Sequence, residues 1–187
     1  MKQLFIAEAK TKSPFGFKST TDHATLFNIA KTYGDMVAIH TESDWGGSLN
    51  KLRGCRNGTS KYILAKGLHK TQRDIDNALS CGGDYVLTVG VSALHDKEFV
   101  LTNCDEIFFE PLNLNELVTF GRYFKFVVWN QRDLMTGKKK KETFAQARKL
   151  CYGKLIQASF IKTMKDVHPE ADGFIVGEHL ETFVKSL

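Results

Sequence analysis

Acid–base chemistry is what the charged residues of this sequence offer first. Glu8 and Lys10 stand two residues apart at the end of the apolar run Leu4–Ala9, with Ser13 and Pro14 just behind them. In an extended strand, residues i and i+2 point to one face, so this carboxylate and ammonium share a side. There they either hold one another's protonation state or both reach a bound molecule; an ordinary surface ion pair at a strand end uses the same residues. The combination recurs. Lys66 follows the run Tyr62–Ala65, Glu110 follows Glu106–Phe109, and Asn130 and Arg132, again two apart, follow Phe126–Trp129. His40 and Glu42 follow Met36–Ile39, Ser159 follows Leu155–Ala158, and Gly177 and Glu178 follow Gly173–Val176. Amines, carboxylates, an amide and a guanidinium gathered together make a polyfunctional acid–base site that binds an anion.

Those residues gather only if the runs that carry them are parallel strands. With Asp84–Val89 there are eight such runs, and helix-compatible patterns at Thr25–Tyr33, Thr71–Leu79, Leu114–Tyr123 and Thr143–Tyr152 lie between them. Asp22, Thr71, Asn113 and Lys162-Thr163 suit helix starts; Gly34 and Gly82-Gly83 suit stops. Strand–helix alternation predicts a parallel sheet covered by helices, and eight units predict a closed (β/α)8 barrel. The ends of the runs then converge on the C-terminal rim, where barrel enzymes work. Such barrels usually need about 200 residues or more, so at 187 residues this one is expected to be compact, with trimmed helices and loops. The segment Gly90–Cys104 is poor in helix signal, and the fourth helix is expected to be short or absent.

Length predicts a single domain over residues 1–187 with ample core. No apolar run approaches 18 residues, which excludes a membrane-spanning helix, and the N-terminus does not resemble a secretory signal. Cys55, Cys81, Cys104 and Cys151 form no C-x-x-C pair, and reduced, partly buried thiols of a cytoplasmic protein are the expectation. The net charge of +5 favours anionic partners, although much of it sits in Lys138–Lys141, expected as a solvated stretch. No nucleic-acid motif accompanies it. The six histidines show no metal spacing, so no metal is expected; His40 and His179 fall near the predicted rim but read as structural or solvent-facing. Trp45 and Trp129 read as packing residues.

In this order along the chain, the residues resemble the indole-3-glycerol phosphate synthase family of tryptophan biosynthesis, from the first strand to the eighth. Ile6-Ala7-Glu8-Ala9-Lys10-Thr11-Lys12-Ser13-Pro14 is similar to the family's I-A-E-x-K-x-x-S-P. Thr41-Glu42 with Trp45-Gly46-Gly47-Ser48 and Leu52 resembles L-T-E…F-x-G-S…L, and Ile63-Leu64-Ala65-Lys66 stands where the family has L-x-K-D-F. Phe109-Glu110 resembles V-E, Asn130-Gln131-Arg132-Asp133-Leu134 is close to N-x-R-D-L, and Val176-Gly177-Glu178 is similar to V-G-E.

The resemblance implies closure of an indole ring on an anthranilate-substituted deoxyribulose 5-phosphate, with loss of carbon dioxide and water. By it, Lys66 is the general acid at the ketone and Glu110 the acid–base partner for dehydration. Lys10 sits by the carboxylate or phosphate, and Glu8 orients the lysines. Ser13, Pro14, Asn130 and Arg132 contact substrate; Ser159, Phe160, Gly177 and Glu178 take the phosphate. The partner is thus a small sugar phosphate carrying an anthranilate group. No metal or organic cofactor, nucleic acid or membrane is implied, and a monomer or homodimer is expected.

The sequence departs from the family pattern in four places. Its first strand-like run begins at Leu4, so the family's helical N-terminal lid is expected to be missing. Gly67-Leu68 replaces Asp-Phe after the lysine, Ala158-Ser159-Phe160 replaces Glu-Ser-Gly, and the fourth helix is expected to be cut away. These departures leave a second reading open: a non-catalytic or altered-substrate phosphate-binding barrel relative that acts as a binding or partner protein.

Overall fold

The structure, a computed structural model, describes residues 2–90 and 105–187. Its strands are β1 (Leu4–Glu8), β2 (Met36–His40), β3 (Ile63–Lys66), β4 (Tyr85–Val89), β5 (Ile107–Glu110), β6 (Phe126–Asn130), β7 (Lys154–Ala158) and β8 (Gly173–Val176). Each pairs in parallel with its sequence neighbours, and β1 also pairs with β8, which closes the sheet. The expected (β/α)8 barrel is the fold observed. The described helices are α1 (His23–Tyr33), α2 (Leu49–Arg56), α3 (Gln72–Ser80), α4 (Leu114–Phe120), α5 (Phe144–Leu150) and α6 (Leu180–Val184). A 3-10 turn, Met164–Asp166, stands between β7 and β8. The expectation of a short or absent fourth helix falls on residues 91–104, outside the described residues.

Capping chemistry sets where the helices begin. Side chains of Asp22, Thr71, Asn113 and Thr143 accept from the backbone N–H three residues on, and Asp74 and Gln146 reciprocate to complete capping boxes. Helix α2 is absent from the sequence expectations for a physical reason. It buries only Leu52 and Cys55, carries Gly54 in its interior, and Asn50, Lys51, Arg53 and Arg56 make it polar overall, so little apolar signal marks it.

The core has two layers, as strands buried on both faces require. Outside the barrel, residues such as Val37, Ile63, Ile107, Val127 and Leu155 pack beneath the helices, with Leu26, Ile75, Leu117 and Phe144 facing them. Inside, Ile6, Ala38, Leu64, Phe108, Val128 and Ile156 fill the lumen. The inward rows continue at period two into Glu8, His40, Lys66, Glu110 and Asn130. The sequence reading stops β2, β3, β5 and β6 one residue short because that last residue is polar. In the structure it stays in the ladder: His40 is paired with Lys66, Val89 with Glu110, and Asn130 with Ala158.

At the opposite, N-terminal end a repeated clamp fixes the strands. Asp35 precedes β2 and accepts from Phe5 N at 3.0 Å; Asp84 precedes β4 and accepts from Ile63 N at 2.7 Å. Asp172 precedes β8 and accepts from Leu155 N at 2.8 Å. Each carboxylate also holds a cation, Lys2, Arg56 or Arg148 respectively. Before β6 the equivalent residue is Lys125.

Candidate active site

The C-terminal mouth of the barrel holds a pocket of about 740 Å³, part of it open to solvent. Glu8, Lys10, Lys66, Glu110, Asn130, Arg132, Ser159, Phe160, Gly177 and Glu178 all line it. Of the residues expected from sequence, Ser13 and Pro14 are the ones not brought to the lining. They form a turn closed by Ser13 N donating to Phe17 O at 2.9 Å, and the neighbour that reaches the pocket is Phe15.

Glu8 is the hub of one half of the site. Lys66 Nζ donates to its Oε2 at 3.1 Å, and His40 Nε2 lies 3.2 Å from its Oε1. Burial raises the carboxyl's pKa, but Lys66, Lys10 and His40 together outweigh burial and hold it well below the usual carboxylate range. Gly177 leaves room for this carboxylate, since a Cβ there would displace Oε2. His40 stacks on Trp45, with ring centroids 5.3 Å apart. Its own pKa is depressed to about 4, because burial outweighs the help of Glu8 and two nearby lysines oppose its charge.

Glu110 anchors the other half. Asn130 Nδ2 donates to Glu110 Oε1 at 2.8 Å, while Asn130 Oδ1 accepts from Ser159 Oγ at 2.7 Å and from Arg132 N at 3.0 Å. The amide of Asn130 is therefore fixed, with its NH₂ turned toward the carboxyl. Burial raises the Glu110 pKa; Lys66, Asn130 and Lys140 offset this only in part, and Glu8 adds to the rise. Two buried carboxyls in one pocket are thus driven apart in acidity. Such divergence separates a group that stays ionised from one able to give and take a proton. Lys66, Glu8 and Glu110 line one cleft.

The chain is similar to indole-3-glycerol phosphate synthase. Over 101 residues, 53% of this chain, it is 30% identical to the enzyme of that name from Sulfurisphaera tokodaii. It spans 41% of that protein's length. No family model matches the sequence. A distant, partial likeness to an enzyme and a barrel with chemistry-bearing residues at its mouth agree with one another.

The third part of the site is cationic, and it is occupied from within. Lys10 Nζ lies 3.2 Å from Glu178 Oε1, and Arg132 donates to Glu178 Oε2 at 2.8 Å. The Arg132 guanidinium is also held by Gly137 O and flanked by the rings of Phe15 and Phe160, 5.4 and 4.7 Å from their centroids. Ser159 and Phe160 adopt positive φ of 69° and 58° without being glycine. Left-handed backbone costs a side-chain-bearing residue roughly 1–2 kcal/mol, and such strain clusters at ligand-binding loops.

Sequence reasoning set His40, Glu42 and His179 near the rim without a role, read Trp45 as packing and missed Phe15; all five line the pocket. For His40 the signal was present: it continues the inward row of β2 two residues beyond Ala38. Trp129 is fully buried, as a packing residue should be. Lys140 does not behave as part of a solvated lysine run. Its Nζ sits 4.5 Å over the Trp129 ring and donates to Pro111 O at 3.3 Å, and burial lowers its pKa despite the nearby Glu110. Among the described residues no helix is long and apolar enough to cross a membrane, and no cluster of His, Cys, Asp and Glu is arranged to hold a metal. Cys55, Cys81 and Cys151 are free and buried.

Proposed function

We propose that this barrel is an acid–base lyase of the indole-3-glycerol phosphate synthase type. It would close the indole ring of 1-(2-carboxyphenylamino)-1-deoxyribulose 5-phosphate and release carbon dioxide and water. The observation that carries this reading is the pairing of Lys66 with two carboxyls of opposite tendency, Glu8 held ionised and Glu110 pushed toward its neutral form. Ring closure needs a proton at the ketone oxygen as the carboxylate-bearing ring carbon attacks, and Lys66 is the donor. Glu8 keeps that ammonium in place. Expulsion of the ring hydroxyl as water needs a second proton donor that then accepts a ring proton, and the raised pKa of Glu110 suits it to both acts. Lys10 and Arg132 supply positive charge for the substrate's oxyanions, Asn130 holds Glu110, and the Ser159–Phe160 and Gly177–Glu178 loops border the phosphate end. Leu134 and Leu68 give the aryl ring apolar wall.

The test is formation of indole-3-glycerol phosphate, followed by its fluorescence. Lys66→Ala and Glu110→Gln should each lower turnover by roughly 10²–10⁴; a parent protein with no turnover overturns the reading. A second reading, a barrel with an altered and less anionic substrate, draws its support from Glu178, whose carboxylate sits on both cations of the expected oxyanion site.

A further inference from the structure

The Lys10 ammonium and the Arg132 guanidinium, from the β1 and β6 sides of the mouth, meet on one carboxylate. Each takes a separate oxygen of Glu178, at 3.2 and 2.8 Å. Exposures of 11%, 13% and 15% for Lys10, Arg132 and Glu178 show a pair of contacts largely withdrawn from water. Two cations on two oxygens of one anion is also how a protein holds the phosphoryl or carboxylate oxygens of a ligand.

Charge in the pocket makes the arrangement informative. Lys10, Lys66 and Arg132 are met by Glu8, Glu42 and Glu178 before Glu110 is counted, so the lining carries no positive excess for an anion. Glu8 is held from two other sides, by Lys66 and His40. Glu178 is different. It lies on the loop after β8, and its hydrogen-bond partners among the described residues are the same two cations. On its far side is a second pocket of about 430 Å³, lined by Lys10, Lys18, Ser19, Thr20, Glu178 and Glu181 among others. Glu178 and Lys10 line both pockets, so the carboxylate has space, and a lysine, on the side away from the mouth.

We propose that Glu178 is a resident counter-anion: it holds Lys10 and Arg132 in the empty protein, and an incoming oxyanion takes both cations while Glu178 turns toward Lys18. This rests on the pocket being a site for an anionic substrate, and it makes Glu178 the residue that sets how much negative charge the site accepts. An entering group binds net of the cost of breaking two existing charge-assisted contacts, so weakly anionic molecules are turned away.

The experiment titrates inorganic phosphate and, separately, 2-aminobenzoate into the intact protein by calorimetry. Glu178→Gln keeps the shape of the side chain and removes its charge. It should tighten binding of at least one probe by about tenfold or more, since a charge-assisted contact is roughly twice a neutral one. The probe that gains identifies which oxyanion uses the subsite. Lys18→Met should weaken that same probe in the parent and leave it unchanged in the Glu178→Gln background, where no carboxylate needs a new partner. Equal affinity of both probes for parent and Glu178→Gln overturns the proposal, as does an equal Lys18 effect in both backgrounds. If Glu178→Gln fails to fold, a crystal structure of the parent with phosphate decides. Phosphate oxygens on Lys10 and Arg132 with Glu178 turned away support the proposal; Glu178 still bridging the two cations overturns it. Binding is read without turnover, so a gain in phosphate affinity with no indole fluorescence leaves this inference standing and removes the synthase reading. Turnover with unchanged affinity does the reverse.

Discussion

Lowering the pH from 7 to 4 should destabilise this protein through one identifiable side chain, His40. The side chain is 8% exposed, and its pKa falls from an ordinary 6.5 to about 4, chiefly because burial penalises the imidazolium. In the unfolded chain His40 takes a proton as the pH passes below about 6.5; in the folded protein it stays neutral down to about 4. Between those values the unfolded state binds one more proton, so stability falls as pH falls, and below them the difference is constant. At 1.36 kcal/mol per unit the full effect is about 3 kcal/mol, a large share of the roughly 5–15 kcal/mol that holds a domain folded. The assay is urea unfolding at pH 7, 5.5 and 4 on the parent and on His40→Gln. His23, His69 and His179 also have pKa values lowered by burial, and their contributions cancel when the two proteins are subtracted. The parent should lose about 3 kcal/mol more than the variant over that range. Parallel curves for the two proteins would refute the assignment of a neutral, buried His40 beside an ionised Glu8.

Three further outcomes follow from contacts described above. Gly177→Ala should displace the Glu8 carboxylate from Lys66, because its Cβ meets Oε2, and turnover in the proposed indole-forming reaction should fall by roughly tenfold or more while the fold persists. Asp84→Ala leaves the buried Ile63 N–H without its acceptor and frees Arg56, which should lower unfolding free energy by about 1–3 kcal/mol with turnover unchanged. Lys140→Met removes a cation that pulls the Glu110 pKa down, so in the proposed reaction the pH–rate limb assigned to Glu110 should move to higher pH; a limb that stays put contradicts their coupling.

Barrel topology was readable from sequence because eight strand-like runs alternate with helical patterns, and nearly every run ends in polar or small residues to which a parallel closed sheet gives a common destination. Glu8, Lys66, Glu110 and Asn130 could be placed for the same reason: each lies two residues past an inward apolar side chain. His40 obeys that rule as well, but a lone histidine carries little chemical signal until Glu8 is seen 3.2 Å away. The union of Lys10 and Arg132 on Glu178 joins three strands' ends across the mouth, and local spacing holds no record of such a contact. Helix α2 was hidden because Gly54 and the polar Asn50, Lys51, Arg53 and Arg56 fill most of its eight positions. Lys140 was hidden by its neighbours, since one folded-back lysine in a run of four looks like the other three.

The aspartates before β2, β4 and β8 have a meaning that reaches the far end of the molecule. Side chains alternate faces along a strand, so a slip of one residue between paired strands would turn every inward group outward. Asp35, Asp84 and Asp172 each tie the next strand's entry to one backbone N–H of the strand before it, and a slip would break that tie. The direction in which Glu8 and Lys66 face is therefore decided at Phe5 and Ile63, each three residues earlier, by anchors at the end of the barrel opposite the mouth. Loops at the mouth can change length and composition while those anchors keep the reactive groups aimed inward.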